Sequence, residues 1–297
     1  RAGDDITVKG ALLKRASGIA AFNVPIVVNL ADSTNFSRQA SMESVSAGDV
    51  SVGQRINAVG SLVAREDDSY QFATDQGSVH LLLTFLGGSL VENSDHLTLA
   101  LSTINGRTPS IMDFSGTGVS TQFDADPDAY EVDKNGLSTN HIEAASTLKI
   151  AGHAKPFGQA PADFIAQSIV DVSALPATLR VSWQEPVATS IDTSTMESLV
   201  LHLAGVGRFH HVSQAGAKLD LKSQQNPSIV EFADSPRTHF VLVQNGTRVV
   251  HSETSTFLAD LDTRVAEGAL PAGLEAWGRY DNPENILSAF RTVVRLR

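Results

Sequence analysis

The sequence predicts an all-β protein built from three consecutive small antiparallel β-barrel or sandwich modules. Two observations predict it. Short runs of alternating or β-branched residues, punctuated by Gly, Asn and Pro, fill the 297 residues. One pattern also recurs three times: an aromatic residue in an acidic or hydroxyl-rich stretch (Phe36, Tyr130, Phe257) precedes, by 21 to 24 residues, a glycine that ends an alternating run (Gly60, Gly152, Gly278). Paired strands keep their length while turns drift, so a spacing this constant reads as one module used three times, over 1–105, 106–185 and 186–297.

Taken in order, Ile6–Leu13 alternates as a strand should, and Val24–Leu30 is a β-branched run whose Pro25 marks a start or an edge. Ser78–Phe85, the Gly87-Gly88 pair and His96–Leu101 read as strand, turn and return strand of a hairpin. Thr178–Trp183 followed by Leu199–Leu203 reads as the matching pair in the second module, and Phe164–Val172 as the counterpart of the terminal strand Ala289–Leu296. Helical signal is confined to Ser255–Ala266, one or two turns capped by Ser255 with Leu258, Leu261 and Val265 on one face, and to a short helix or loop within 38–50. The three aromatics are expected to plug cores. The three glycines are expected at bends or bulges where a side chain would crowd the next strand.

Charge and composition narrow the function. Thirty-three acidic against 22 basic residues give a net charge of -11, which argues against a general nucleic-acid binder. The absence of cysteine removes disulfides, thiolate catalysis and thiolate metal sites. No uncharged apolar run reaches the roughly 18 residues that a spanning helix needs. The chain opens on Arg1 rather than Met, which reads as a processed or trimmed product.

The stretch VGQRINAVGSL (52–62), with its relatives in 147–172 and 273–296, resembles the uncharacterised OB-like β-barrel repeat domains of bacterial envelope lipoproteins and exported proteins. The resemblance implies an envelope or extracellular location (periplasm or cell surface) and a non-catalytic role, and it carries no catalytic residues. The N-terminal cysteine that lipid attachment requires is not in this sequence.

Three groups of residues are candidate sites. Asp124, Asp126 and Asp128 alternate and can aim oxygens at calcium, although Ala129 and Asn135 stand where such a loop wants Gly and Glu; the other reading is an acidic turn started by Asp126 at Pro127. His210 and His211, with His202, His239 and His251, offer imidazoles, but neighbours on a strand face opposite ways. Trp183, Trp277 and Tyr280 offer rings for stacking a glycan or peptide, against the reading that both tryptophans are core. There is no Gly-x-Ser-x-Gly elbow and no phosphate loop, and Gly205-Val-Gly207 lacks the rest of a dinucleotide fingerprint. The sequence therefore reads as a non-enzymatic structural or adhesive protein, with a glycan- or peptide-binding module and then a metal-dependent hydrolase as alternatives. The strands Ile6–Leu13 and Ala289–Leu296 are expected at sheet edges, where a second copy can pair to build a fibre or surface layer. Lys9, Lys14, Arg291, Arg295 and Arg297 would guard the same edges by charge.

Overall fold

The computed structural model describes residues 3–18, 20–64, 70–224, 226–235 and 238–297. Strands dominate it. The first sheet comprises β1 (Asp5–Lys14), β2 (Ala20–Asn29), β3 (Asn35–Arg38), β4 (Arg55–Ala64) and β5 (Tyr70–Leu82), ordered β1-β2-β5-β3 with β4 also on β5. Next come β6 (Thr84–Asn93), β7 (Leu97–Ile104), β8 (Tyr130–Asp133), β9 (Thr147–Ala154) and β10 (Phe164–Asp171), which close into a five-stranded barrel ordered β10-β8-β7-β6-β9.

The remaining elements are β11 (Ala177–Trp183), β12 (Ile191–Asp192), β13 (Ser198–Leu201), β14 (Val206–Gln214), β15 (Ala217–Asp220), β16 (Ser228–Phe232), β17 (His239–Gln244), β18 (Thr247–His251), α1 (Thr254–Ala266), β19 (Pro271–Asp281) and β20 (Ile286–Leu296). Their ten strands form one sheet whose main path is β12-β13-β16-β20-β19-β11-β14-β15. The all-β class expected from the sequence is what the chain adopts.

The glycines of the recurring pattern behave as their spacing suggests. A Cβ on Gly60, Gly152 or Gly278 would stand 2.0 Å from the carbonyl oxygen of Ala73, Ile165 or Ser288 respectively, far inside contact distance. Gly60 lies at a register shift between β4 and β5, and Gly278 at one between β19 and β20. The backbones approach there because nothing projects between them. Of the aromatics, Tyr130 and Phe257 are buried and Phe36 is half-buried against the first sheet's core.

Several element readings need correction. Gly87-Gly88 is no turn: it lies inside β6 at a register shift against β7, where a Gly88 Cβ would meet the Ala100 carbonyl oxygen at 2.5 Å. Helix α1, which holds Phe257, has 13 residues rather than one or two turns and starts after Glu253, so Ser255 lies inside it instead of capping it. Strand β11 does not pair with β13 but with β14 and β19. The terminal strand β20 is interior, flanked by β19 and by β16 and β17, whereas β1 does lie at an edge.

Two compact units, 1–85 with 109–137 and 151–168, and 86–108 with 138–150 and 169–297, each carry a core. In the first, Ile6, Val28, Leu30, Val50, Val79 and Leu81 cluster. In the second, alternation sends Ala177, Leu179, Val181 and Trp183 of β11 inward to meet Val212, Leu274 and Leu287. Helix α1 docks on this core through Phe257, Leu258 and Leu261, and the Phe257 ring stacks on Phe240 of β17 with centroids 4.7 Å apart. Truncating Phe257 to alanine would cost about 3–5 kcal/mol.

Candidate functional site

Because β11 points its apolar residues inward, Thr178, Arg180 and Ser182 are left on the opposite face. Register then decides what stands beside them. Arg180 lies opposite His211 of β14 on one side and Glu275 of β19 on the other; Thr178 lies opposite Trp277. On the far side of β19, Trp277 faces Arg291 and Gly273 faces Arg295 of β20. Strand β15 adds Lys218 opposite Ser213 and Asp220 opposite His211. The outer face of the second unit's sheet thus gathers four permanent cations, Arg180, Lys218, Arg291 and Arg295, around two carboxylates.

At its centre, Glu275 is enclosed, with 11% of its side chain exposed, between Arg180 and Arg295, each about half exposed. The Arg180 Nε donates to Glu275 Oε1 at 2.6 Å and its Nη2 reaches the same oxygen, while Arg295 Nη2 lies 3.4 Å from Oε2. A guanidinium offers five N–H donors, so Glu275 holds these two side chains in place and still leaves them donors for an outside anion. Beside this triad the Arg291 guanidinium lies over the Trp277 ring, 4.6 Å from its centroid, and its Nε is buried without a hydrogen-bond partner.

Strand β14 adds Phe209, 40% exposed, with its ring centroid 6.0 Å from that of His211. Burial, followed by the charges of Lys218, His210 and Arg180, pushes the His211 pKa down to about 4. His211 is therefore neutral at pH 7 and contributes hydrogen bonding rather than charge. Chemically, the face offers forked donors for carboxylate or sulfate oxygens and two rings for stacking; it presents no nucleophile paired with a base.

The structure separates the three aromatics chosen from sequence. Trp183 is buried and its indole N–H donates to the His202 carbonyl at 2.7 Å; Tyr280 is buried with its hydroxyl donating to Asn285 Oδ1 at 2.9 Å, and burial raises its pKa. Both belong to the core, so neither ring is offered to a ligand, whereas Trp277 lies on the outer face. The aspartates do not converge either. Asp124 accepts from the Gly118 N–H at 2.9 Å, and backbone bonds from 116–118 hold its pKa below the usual range. Asp126 accepts from the Asp128 N–H at 2.9 Å and caps a single 3-10 turn at Pro127, the acidic-turn arrangement. The histidines are dispersed: His210 lies 3.6 Å from Asp220, and His251 lies 3.0 Å from Asp260, which Arg264 also holds. Among the described residues no three His, Asp or Glu side chains gather as a metal site.

A second unusual carboxylate is Asp163, in the first unit. Its Oδ2 accepts from the Glu131 N–H at 2.8 Å, and its backbone N–H donates to the Glu131 carbonyl at 2.9 Å. Burial first, then the charges of Glu131 and Asp126, push its pKa up to about 7 against the opposing pull of the Glu131 N–H. The adjoining cavity, lined by Phe114, Thr117, Tyr130, Lys155 and Ala160, measures about 10 Å³, room for one water at most and too small for an organic substrate.

The arginines were the part that sequence reasoning missed as a site. Arg291 and Arg295 are four apart on one strand, and Trp277 and Glu275 two apart on another, so each pair shares a face; that signal was present, but which strands adjoin was not. Comparison with known protein families, curated proteins and solved structures finds no match to this chain.

Proposed function

We propose that this chain is a non-enzymatic adhesive protein of the bacterial envelope or extracellular space, built from repeated OB-like β modules, and that its arginine–tryptophan face binds an acidic carbohydrate polymer. One observation carries the reading: Trp277 lies beneath Arg291 and beside the Arg180–Glu275–Arg295 triad on one sheet face. Indole stacks on the apolar face of a sugar ring, and guanidinium forks pair with its carboxylate or sulfate groups. The net charge of -11 favours a ligand met at this patch alone over a nucleic acid wrapped around the molecule. No helix among the described residues is long and apolar enough to cross a membrane.

An array of acidic and neutral glycans tests this. Retention of uronic-acid or sulfated glycans, weakened in Trp277→Ala, is the expected result. Binding of neutral glycans only, of single-stranded DNA only, or of nothing would overturn it, as would turnover of ester, phosphate or glycoside substrates by the purified chain.

A further inference from the structure

The outer face of the second unit's sheet continues over a run of strands in the order β18-β17-β20-β19-β11-β14-β15. Register lines its side chains up in three rows that cross the strands. In the first, Arg248 of β18 stands opposite Val243 of β17, Val243 opposite Arg295 of β20, and Arg295 opposite Gly273 of β19. In the second, Val250, Val241 and Val293 lead to Glu275, Arg180, His211 and Asp220. In the third, His239 adjoins Arg291, and Trp277, Thr178, Ser213 and Lys218 follow.

The permanent cations of these rows fall on every second strand: Arg248 on β18, Arg291 and Arg295 on β20, Arg180 on β11, Lys218 on β15. Adjacent strands lie about 4.8 Å apart, so positive charge recurs about every 10 Å along a line of about 30 Å. Two of the strands between carry rings. Trp277 of β19 lies under Arg291. Phe209 of β14, whose backbone N–H donates to Ser182 Oγ at 3.2 Å, has its ring 5.6 Å from the Arg208 guanidinium. Arg248, Lys218 and Phe209 are all exposed. The two carboxylates are engaged within the protein: Arg180 and Arg295 hold Glu275, and Asp220 accepts the Lys222 N–H at 2.8 Å. Arg279 of β19 lies outside the three rows, opposite Ser288, whose other neighbour is Glu231.

We infer that this face is a track for a linear polymer in which anionic and neutral units alternate, lying across the strands. The inference rests on the acidic-carbohydrate reading above and adds to it the ligand's charge spacing and length. A separation of about 10 Å between cations is too wide for successive sugars and suits alternate ones. Each anionic group then meets a guanidinium or ammonium, and the neutral units between them meet Trp277 and Phe209. Linked contacts reinforce one another through effective concentration, so the ends of the track act only on a ligand long enough to reach them.

The test is isothermal titration of the full chain with hyaluronan oligosaccharides, which carry a carboxylate on every second sugar, in a short form of about 10 Å and a long form of about 30 Å. The long form is expected to bind at least about tenfold more tightly than the short one. Arg248→Gln and Lys218→Gln, at the two ends of the track, should each weaken the long form by about 2- to 5-fold and leave the short form unchanged. Circular dichroism checks that both variants stay folded. An oligogalacturonide as long as the long form, with a carboxylate on every sugar, should bind no more tightly despite its greater charge. Equal affinity for the two lengths, full binding of the long form by both end variants, or tighter binding of the oligogalacturonide would overturn the track and leave the acidic-carbohydrate reading standing. No binding of any of the three ligands would overturn that reading and the track with it.

Discussion

Arg291 and Trp277 stand directly opposite each other on β20 and β19, and the guanidinium lies 4.6 Å from the centre of the indole ring. The stack fixes a long, flexible cation against a rigid plane, so part of the ordering cost of binding is met before a ligand arrives. Removing either partner should weaken an acidic ligand by about 3- to 30-fold, the range of a partly desolvated cation–π contact. Comparing Arg291→Gln with Trp277→Ala by surface plasmon resonance checks this; the double variant should lose less than the sum of the two single losses, because the residues act as one unit.

Gly152→Ala and Gly278→Ala should each destabilise the chain by about 1–3 kcal/mol or more, because the added methyl would sit 2.0 Å from a neighbouring carbonyl oxygen. Gly48→Ala, whose Cβ would lie 3.5 Å from the Ser46 hydroxyl, should change little. Urea denaturation of the three variants measures the contrast.

Asp163 makes the first unit less stable as pH rises. Its folded pKa, about 7, lies above its ordinary value of 3.8, so the folded state binds the proton more tightly. The stabilisation is complete below pH 3.8 and is lost as pH climbs through 7. Asp163→Asn keeps an acceptor for the Glu131 N–H without the charge. Thermal melts of this variant should lose the downward trend in melting temperature between those two pH values.

His211 acts in the opposite sense. Its folded pKa, about 4, lies below its ordinary 6.5, so its contribution is present above pH 6.5 and fades as pH falls towards 4. Proton-detected NMR of the histidine side chains should find His211 still neutral at pH 5, and Lys218→Ala should raise its pKa, since Lys218 is the largest of the charges depressing it.

The sequence made the class of fold legible because period-two alternation marks strands wherever one face is buried, as in β11 and β7. It also exposed Gly60, Gly152 and Gly278, since only a residue without Cβ fits where two backbones close up. Long-range pairing was not legible. Nothing local tells that Ala289–Leu296 will be flanked on both sides, or that β11 will leave β13 for β19. The candidate site depends on that pairing: Arg180 and Glu275 lie 95 residues apart in the chain yet share a hydrogen bond of 2.6 Å. Trp183 and Trp277 looked equivalent by composition, but the pleat places one indole in the core and the other on the outer face.

Isothermal titration of the intact chain with a uronic-acid oligosaccharide bears most directly on the arginine–tryptophan face. Saturable binding is expected, weakening as NaCl rises from about 0.05 to about 0.5 M as screening shortens the reach of the guanidinium charges. It should weaken by about 3- to 30-fold in Trp277→Ala and stay unchanged in Val59→Lys, which alters only the first sheet. Binding that persists undiminished in Trp277→Ala, or that is indifferent to salt, would contradict the assignment of this face.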